Sequence, residues 1–148
     1  MKVKLDRYIG DNDNYQVEKV ASPPSRAHGT DAGLDLYALR GGIVRAHQAA
    51  TFHTGVHAEL PEGTVGILMP KSGMMTRHDL LTFGVVDEGY TGEIMVHIFN
   101  CGGEDYSVMD GDKISQMLIV PVRYESVEIV EEIGGGARGD CGFGSTGR

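Results

Sequence analysis

The sequence predicts an all-β domain: a distorted jelly-roll-like β-barrel over residues 1–133, followed by a flexible glycine-rich C-terminal arm over 134–148. Three observations predict it. The apolar runs are short, rich in Val and Ile, and punctuated by clusters of Gly, Pro, Asn and Asp. Only Ser72 to His78 suits a helix, and that stretch is short. The last fifteen residues, GGGARGDCGFGSTGR, include seven glycines and one large apolar side chain, Phe143. Such a segment buries too little surface to offset its own ordering entropy, so it is expected to be mobile until a ligand orders it.

In chain order, Val3 and Leu5 alternate with lysines and open a first strand. Residues 9–30, with Pro23-Pro24, read as a long loop containing one weak strand near Tyr15 to Val20. Strands follow at Leu34 to Leu39, Ile43 to Val44 and Thr51 to Leu60, separated by Gly41-Gly42 and closed by Pro61-Glu62-Gly63. Further strands are expected at Thr64 to Met69, Gly92 to Asn100, Lys113 to Val122 and Ser126 to Val130, with turns at Asn100-Cys101-Gly102-Gly103 and Met109-Asp110-Gly111-Asp112. Period-two alternation puts Gln116 on the face of Ile114, Leu118 and Val120, which read as core.

At 148 residues the chain makes one domain, small for an active site built wholly within one subunit. No apolar run approaches the length of a membrane span, and MKVKLDRY lacks the apolar centre of a signal peptide. Cys101 and Cys141 are too few for a disulfide framework and lack metal-ligand spacing, so a cytoplasmic protein is expected. The net charge of −8 disfavours direct binding to nucleic acid. It also means that a polyphosphate ligand would need locally placed cations or Mg²⁺. His47, His53 and His57 do not have the spacing of a helical ligand set, and no zinc site is expected.

Five polar strings interrupt the β pattern. Ala32-Gly33-Leu34-Asp35-Leu36 puts a carboxylate within an apolar strand start. Lys71, Ser72 and Gly73 combine a cation, a hydroxyl and a helix start, which suits phosphate. Asp87 ends the apolar run Gly84-Val85-Val86, where a carboxylate could polarise a water as general base, and Tyr90 returns an aromatic nearby. Gln116 places an amide that needs a hydrogen-bond partner. The arm carries Arg138, Phe143, Gly144, Ser145 and Thr146: a guanidinium and hydroxyls for phosphate, and a ring for stacking on a base. That set argues for a lid ordered by substrate.

AGLDL, PKSGM, GVVDEGYTGEI, GDKISQMLIVPV and RGDCGFGSTG, in this order, resemble the five motifs of the trimeric dUTP diphosphatases, from about Ala32 to the C-terminus. The resemblance implies a jelly-roll-like subunit in a homotrimer with shared active sites, and hydrolysis of dUTP to dUMP and pyrophosphate with Mg²⁺. Asp87 would then activate the attacking water, and Tyr90 would lie under the deoxyribose and exclude a 2′-hydroxyl. Lys71, Ser72, Gly73 and Gln116 would lie at the phosphates, with Asp35 in support. Arg138, Ser145 and Thr146 would hold the terminal phosphates, Phe143 would stack on uracil, and Gly144 lies among these substrate-binding residues. The metal would be held by phosphates and water, with no direct protein ligand. Three positions depart from the family pattern: Lys71 stands for Arg, Cys141 for Gly, and Asp79-Leu80-Leu81-Thr82-Phe83 is a shortened segment of the uracil pocket. In that segment Thr82 and the backbone around it are candidates for reading the base edge. The related dCTP deaminases place a Glu general base near the position of His97, so deamination is not expected.

Overall fold

A computed structural model describes residues 1–12, 15–136 and 139. In chain order the strands are β1 (Lys2–Leu5), β2 (Arg7–Asn12), β3 (Tyr15–Val20), β4 (Gly33–Tyr37), β5 (Gly42–Val44), β6 (Ala49–Phe52), β7 (Val56–Glu59) and β8 (Thr64–Met69). Helix α1 (Ser72–His78) follows, then β9 (Leu80–Thr82), β10 (Gly84–Val86), β11 (Val96–Asn100), β12 (Tyr106–Val108) and β13 (Lys113–Pro121). The expected all-β, jelly-roll-like fold is what forms. Its hydrogen-bonded sheets run β10-β8-β13-β4, β6-β11-β9, β1-β7, β12-β5 and β2-β3. Leu36, Val44, Val56, Val96, Ile98, Ile114 and Met117 are buried in one shared core. Emptying such a position by truncation to Ala would cost about 2–5 kcal/mol.

The widest sheet positions the site. β8 lies between β10 and β13, both antiparallel to it. Gly84 and Val86 of β10 face Leu68 and Gly66, while Gln116 and Pro121 of β13 face Met69 and Thr64. Gly66 is where these strands crowd: a Cβ there would meet Met117 Sδ at 2.8 Å and Val86 Cβ at 3.2 Å. α1 leaves the end of this sheet and packs Met74 against the core.

Four expectations are corrected. The weak strand expected near Tyr15 to Val20 forms as β3, but the residues from Ile9 before it are not loop, because β2 pairs with it as a hairpin from Arg7↔Val20 to Asn12↔Tyr15. β2 lacks apolar alternation, and the hairpin is fastened from outside by Arg40 Nη1, which donates to Tyr8 Oη at 2.7 Å, and by a Lys19–Asp110 ion pair. Thr51 to Leu60 is two strands, broken at Gly55, whose φ of 65° is the left-handed conformation that glycine tolerates. Ser126 to Val130 is not a strand. After Val122, whose N–H reaches the Gly63 carbonyl at 2.9 Å, the described tail runs without strand pairing, and Val127 and Ile129 are 93% and 96% exposed. Finally, a register shift between Lys113 and Ser115 resets the alternation of β13. Ser115 and Met117 face the core, and Gln116 turns outward with Leu118.

Candidate active site

Phosphate-type chemistry gathers at one end of β8. Asp35 sits on β4 opposite Gln116, and only 4% of it is exposed. A carboxylate buried this far needs partners. Lys71 meets one of its oxygens and Lys113 the other, the latter at 2.8 Å. Burial by itself would raise the Asp35 pKa, but the hydrogen bonds and charges of Lys113 and Lys71 outweigh it and hold the group below the ordinary carboxylate range. The cluster of Lys71, Asp35 and Lys113 sets two ammonium groups on one carboxylate, and Asp31 nearby balances the second. The cluster lies beside a cleft of about 450 Å³ lined by Asp31, Gly33, Asp35, Lys71, Gln116 and Leu118 among others.

The bulge in β13 is what aims Gln116 there. Its Nε2 donates to the Pro70 carbonyl at 3.0 Å, and Ser115 Oγ, on the other side, donates to the Met69 carbonyl at 3.0 Å. Gly33 leaves the room, since a Cβ at that position would collide with Gln116 Oε1. Ser72 and Gly73 start α1 beside Lys71, with no side chain capping the helix start and no acid in its first turn.

The opposite end of β8 is acidic. Asp87 follows β10, and its carbonyl accepts from Tyr90 N–H at 3.0 Å, closing a turn. Asp87 is exposed, and the described residues make no hydrogen bond to its carboxylate. Glu88 beside it is committed. It accepts from the Tyr124 hydroxyl and from Gly63 N–H, at 2.8 Å for the latter, and these bonds lower its pKa. Asp87, Glu88, Thr64, Val65 and Tyr124 line a second cleft. The Tyr90 ring lies across Gly92, where a Cβ would collide with Tyr90 Oη, and that hydroxyl donates to the Glu93 carbonyl at 2.9 Å.

Asp87 and Gln116 therefore do not meet within one chain. Gln116 is level with Met69, and Asp87 lies one residue past the Val86↔Gly66 pair. Four residues of strand separate them, about 13 Å.

A sequence model of the dUTPase family matches residues 19–147. The deoxyuridine 5′-triphosphate nucleotidohydrolase of Clostridium acetobutylicum is 39% identical over 135 residues, which cover 89% of this chain and 93% of that protein. This chain belongs to the dUTPase family. The counterpart from Gloeothece citriformis is 40% identical, with 89% and 93% covered. Among solved structures, the dUTPase of Staphylococcus bacteriophage 80alpha with dUPNHPP superposes with a TM-score of 0.82 at 26% identity, covering 99% of each chain. A mutant dUTPase from phage phi11 of S. aureus, described with a structural Mg(II) ion, gives a TM-score of 0.70 at 27% identity, covering 87% of this chain and 97% of that one.

Within this dUTPase chain, Asp35, Lys71 and Gln116 share one cleft with Ser72 and Gly73 adjoining it, and Asp87 and Tyr90 share a turn at the other end. Arg138, Phe143, Gly144, Ser145 and Thr146, with Cys141, lie outside the described residues. Lys113 is a site residue the sequence reading missed, although it stands in GDKISQM; only the pairing of β13 with β4 shows that it reaches Asp35. Thr82 is not a reader of the base edge by its side chain. It is 1% exposed, and its hydroxyl has no partner among the described residues. Because an unsatisfied buried hydroxyl contributes nothing favourable, Thr82→Val is expected to leave stability unchanged or raise it by about 1 kcal/mol, with unchanged turnover. Urea denaturation measures this.

Proposed function

We propose that this dUTPase hydrolyses dUTP to dUMP and pyrophosphate, taking the Mg²⁺–nucleotide complex as substrate, in a homotrimer whose sites are shared between subunits. The observation that carries the reading is the division of the site. A cleft with Lys71 and Gln116, which suit phosphates, and the exposed Asp87 carboxylate, which suits a water, lie at opposite ends of β8, about 13 Å apart along it. A second copy brings the Asp87 end of its β8 to the Lys71 and Gln116 end of the first. The exposed Val127, Ile129 and Ile133 of the tail supply apolar surface for such an assembly.

In this site Lys71, Ser72, Gly73 and Gln116 hold the phosphates, with Asp35 fixing both Lys71 and Lys113. Asp87 takes the proton of a water that attacks the α-phosphorus in line, and pyrophosphate departs. The Tyr90 ring, which lies across Gly92, underlies the deoxyribose in this reading and excludes a 2′-hydroxyl. Arg138, Ser145 and Thr146 close over the terminal phosphates with Gly144, and Phe143 covers the uracil, completing a dry site. The triphosphate would bring the cation, which when bound would spread the charge that develops on the phosphates.

No helix of the described residues is long and apolar enough to cross a membrane, and a cytoplasmic enzyme is the reading we adopt. Its product supplies thymidylate synthesis, and its action keeps uracil out of DNA.

Pyrophosphate release with Mg²⁺ from dUTP, dCTP, dTTP and UTP tests the proposal. Turnover of dUTP alone is expected. Turnover of dCTP would overturn the uracil assignment, and binding of dUTP without turnover of any nucleotide would reduce the protein to a nucleotide-switched binding module.

A further inference from the structure

The turn that carries Tyr90 is strapped to the strand beside it. Glu93 accepts from Gly55 N–H at 2.7 Å and lies 2.7 Å from His53 Nδ1. Ile94 N–H donates to the Val56 carbonyl at 2.8 Å. A further strap differs in kind. His57, on β7 with its side chain 20% exposed, places Nδ1 2.9 Å from the Thr91 carbonyl and Nε2 2.9 Å from an Asp6 carboxylate oxygen. Both partners can only accept, and a neutral imidazole has one N–H. Both bonds form together only when the ring is the imidazolium.

The charges around it are few. Lys4, opposite His57 on β1, pairs with Asp6 at 3.2 Å, and Lys2 pairs with Glu59 at 2.9 Å. Glu93 bridges to His57 through the backbone, while its carboxylate is occupied by Gly55 and His53. Tyr90 keeps its hydroxyl on the Glu93 carbonyl. Asp6 is thus the direct counter-charge to the His57 ring.

We propose that His57, as the imidazolium, is a positioning residue that fixes the Thr91 carbonyl and through it Tyr90, so that preference for deoxyribose over ribose depends on one proton remote from the substrate. The proposal rests on the sugar-selecting role of Tyr90 given above. The Asp6 hydrogen bond, then that of Thr91, raises the His57 pKa against the opposing effects of burial and Lys4. A raised histidine holds its bonds fully below its ordinary value of about 6.5 and loses them as pH climbs through the folded value.

The test is the ratio of kcat/KM for dUTP to that for UTP from about pH 5.5 to 9, in the parent, His57→Ala, Asp6→Asn and Tyr90→Ala, with the ¹⁵N spectrum of the His57 ring recorded alongside. The parent ratio is expected to fall about tenfold with rising pH, the share of one charge-assisted hydrogen bond. His57→Ala is expected to give the low ratio at every pH, and Asp6→Asn to move the transition to lower pH. A packing role alone would not move that midpoint. Parent-like ratios in His57→Ala, or a neutral His57 ring at about pH 6, would overturn the proposal. If His57→Ala does not fold, the Asp6→Asn midpoint and the ring spectrum decide. Tyr90→Ala with a parent-like ratio would instead overturn the sugar-selecting role of Tyr90, and this proposal with it.

Discussion

Asp87→Asn is expected to lower kcat for dUTP about a thousandfold while leaving the nucleotide Kd within about threefold. The substitution keeps the shape of the side chain and removes only its basicity. The turn should survive it, because Tyr90 N–H is held by the Asp87 backbone carbonyl and not by the carboxylate. Glu88 does not substitute as base, since its carboxylate is engaged by Gly63 N–H and the Tyr124 hydroxyl. Single-turnover hydrolysis together with calorimetric titration separates the two effects. Parent-like kcat would remove Asp87 from the chemistry, and loss of binding with kcat would make it a binding group.

Asp35→Ala is expected to lower stability by about 2–3 kcal/mol at neutral pH. The figure stays below that of a fully buried pair because the Lys71 and Lys113 side chains are 28% and 43% exposed and can turn to water. The variant leaves Lys71 and Lys113 without their shared carboxylate, and phosphate affinity should fall as Lys71 loses its anchor. The sign with pH follows from the lowered Asp35 pKa. Its contribution is present above the unfolded value of about 3.9 and is lost as pH falls through the lower folded value. The difference between parent and Asp35→Ala should therefore shrink toward about pH 2. Urea melts at neutral and acid pH measure it, and an undiminished difference in acid would assign the loss to packing.

Much of this was legible in the residues, for a local reason. β8 and α1 form over the residues their patterns mark, since Thr64 to Met69 ends at Pro70 and the helix ends at a left-handed Asp79, φ 51°. The site strings could be read because each packs its chemistry into a few adjacent positions. Partnerships across the fold could not. The bulge at Lys113/Ser115 inverts the face of Gln116 and depends on how β13 lies against β4. Lys113 reaches Asp35 only through that same pairing. Of the β2–β3 hairpin only β3 was legible; β2, Arg7 to Asn12, has no apolar alternation, and its signal is the hydrogen bonding to β3 that sequence does not display. Ser126 to Val130 shows the converse: it has strand-like composition and no neighbouring edge among the described residues.

If the site is shared between copies as proposed, an isolated chain, with Lys71 and Gln116 at one end of β8 and Asp87 at the other, is a pair of unmatched halves. Turnover in the cell would then follow the number of complete assemblies and not the number of chains. At low expression, where copies seldom meet, a modest drop in abundance would remove a disproportionate share of the activity.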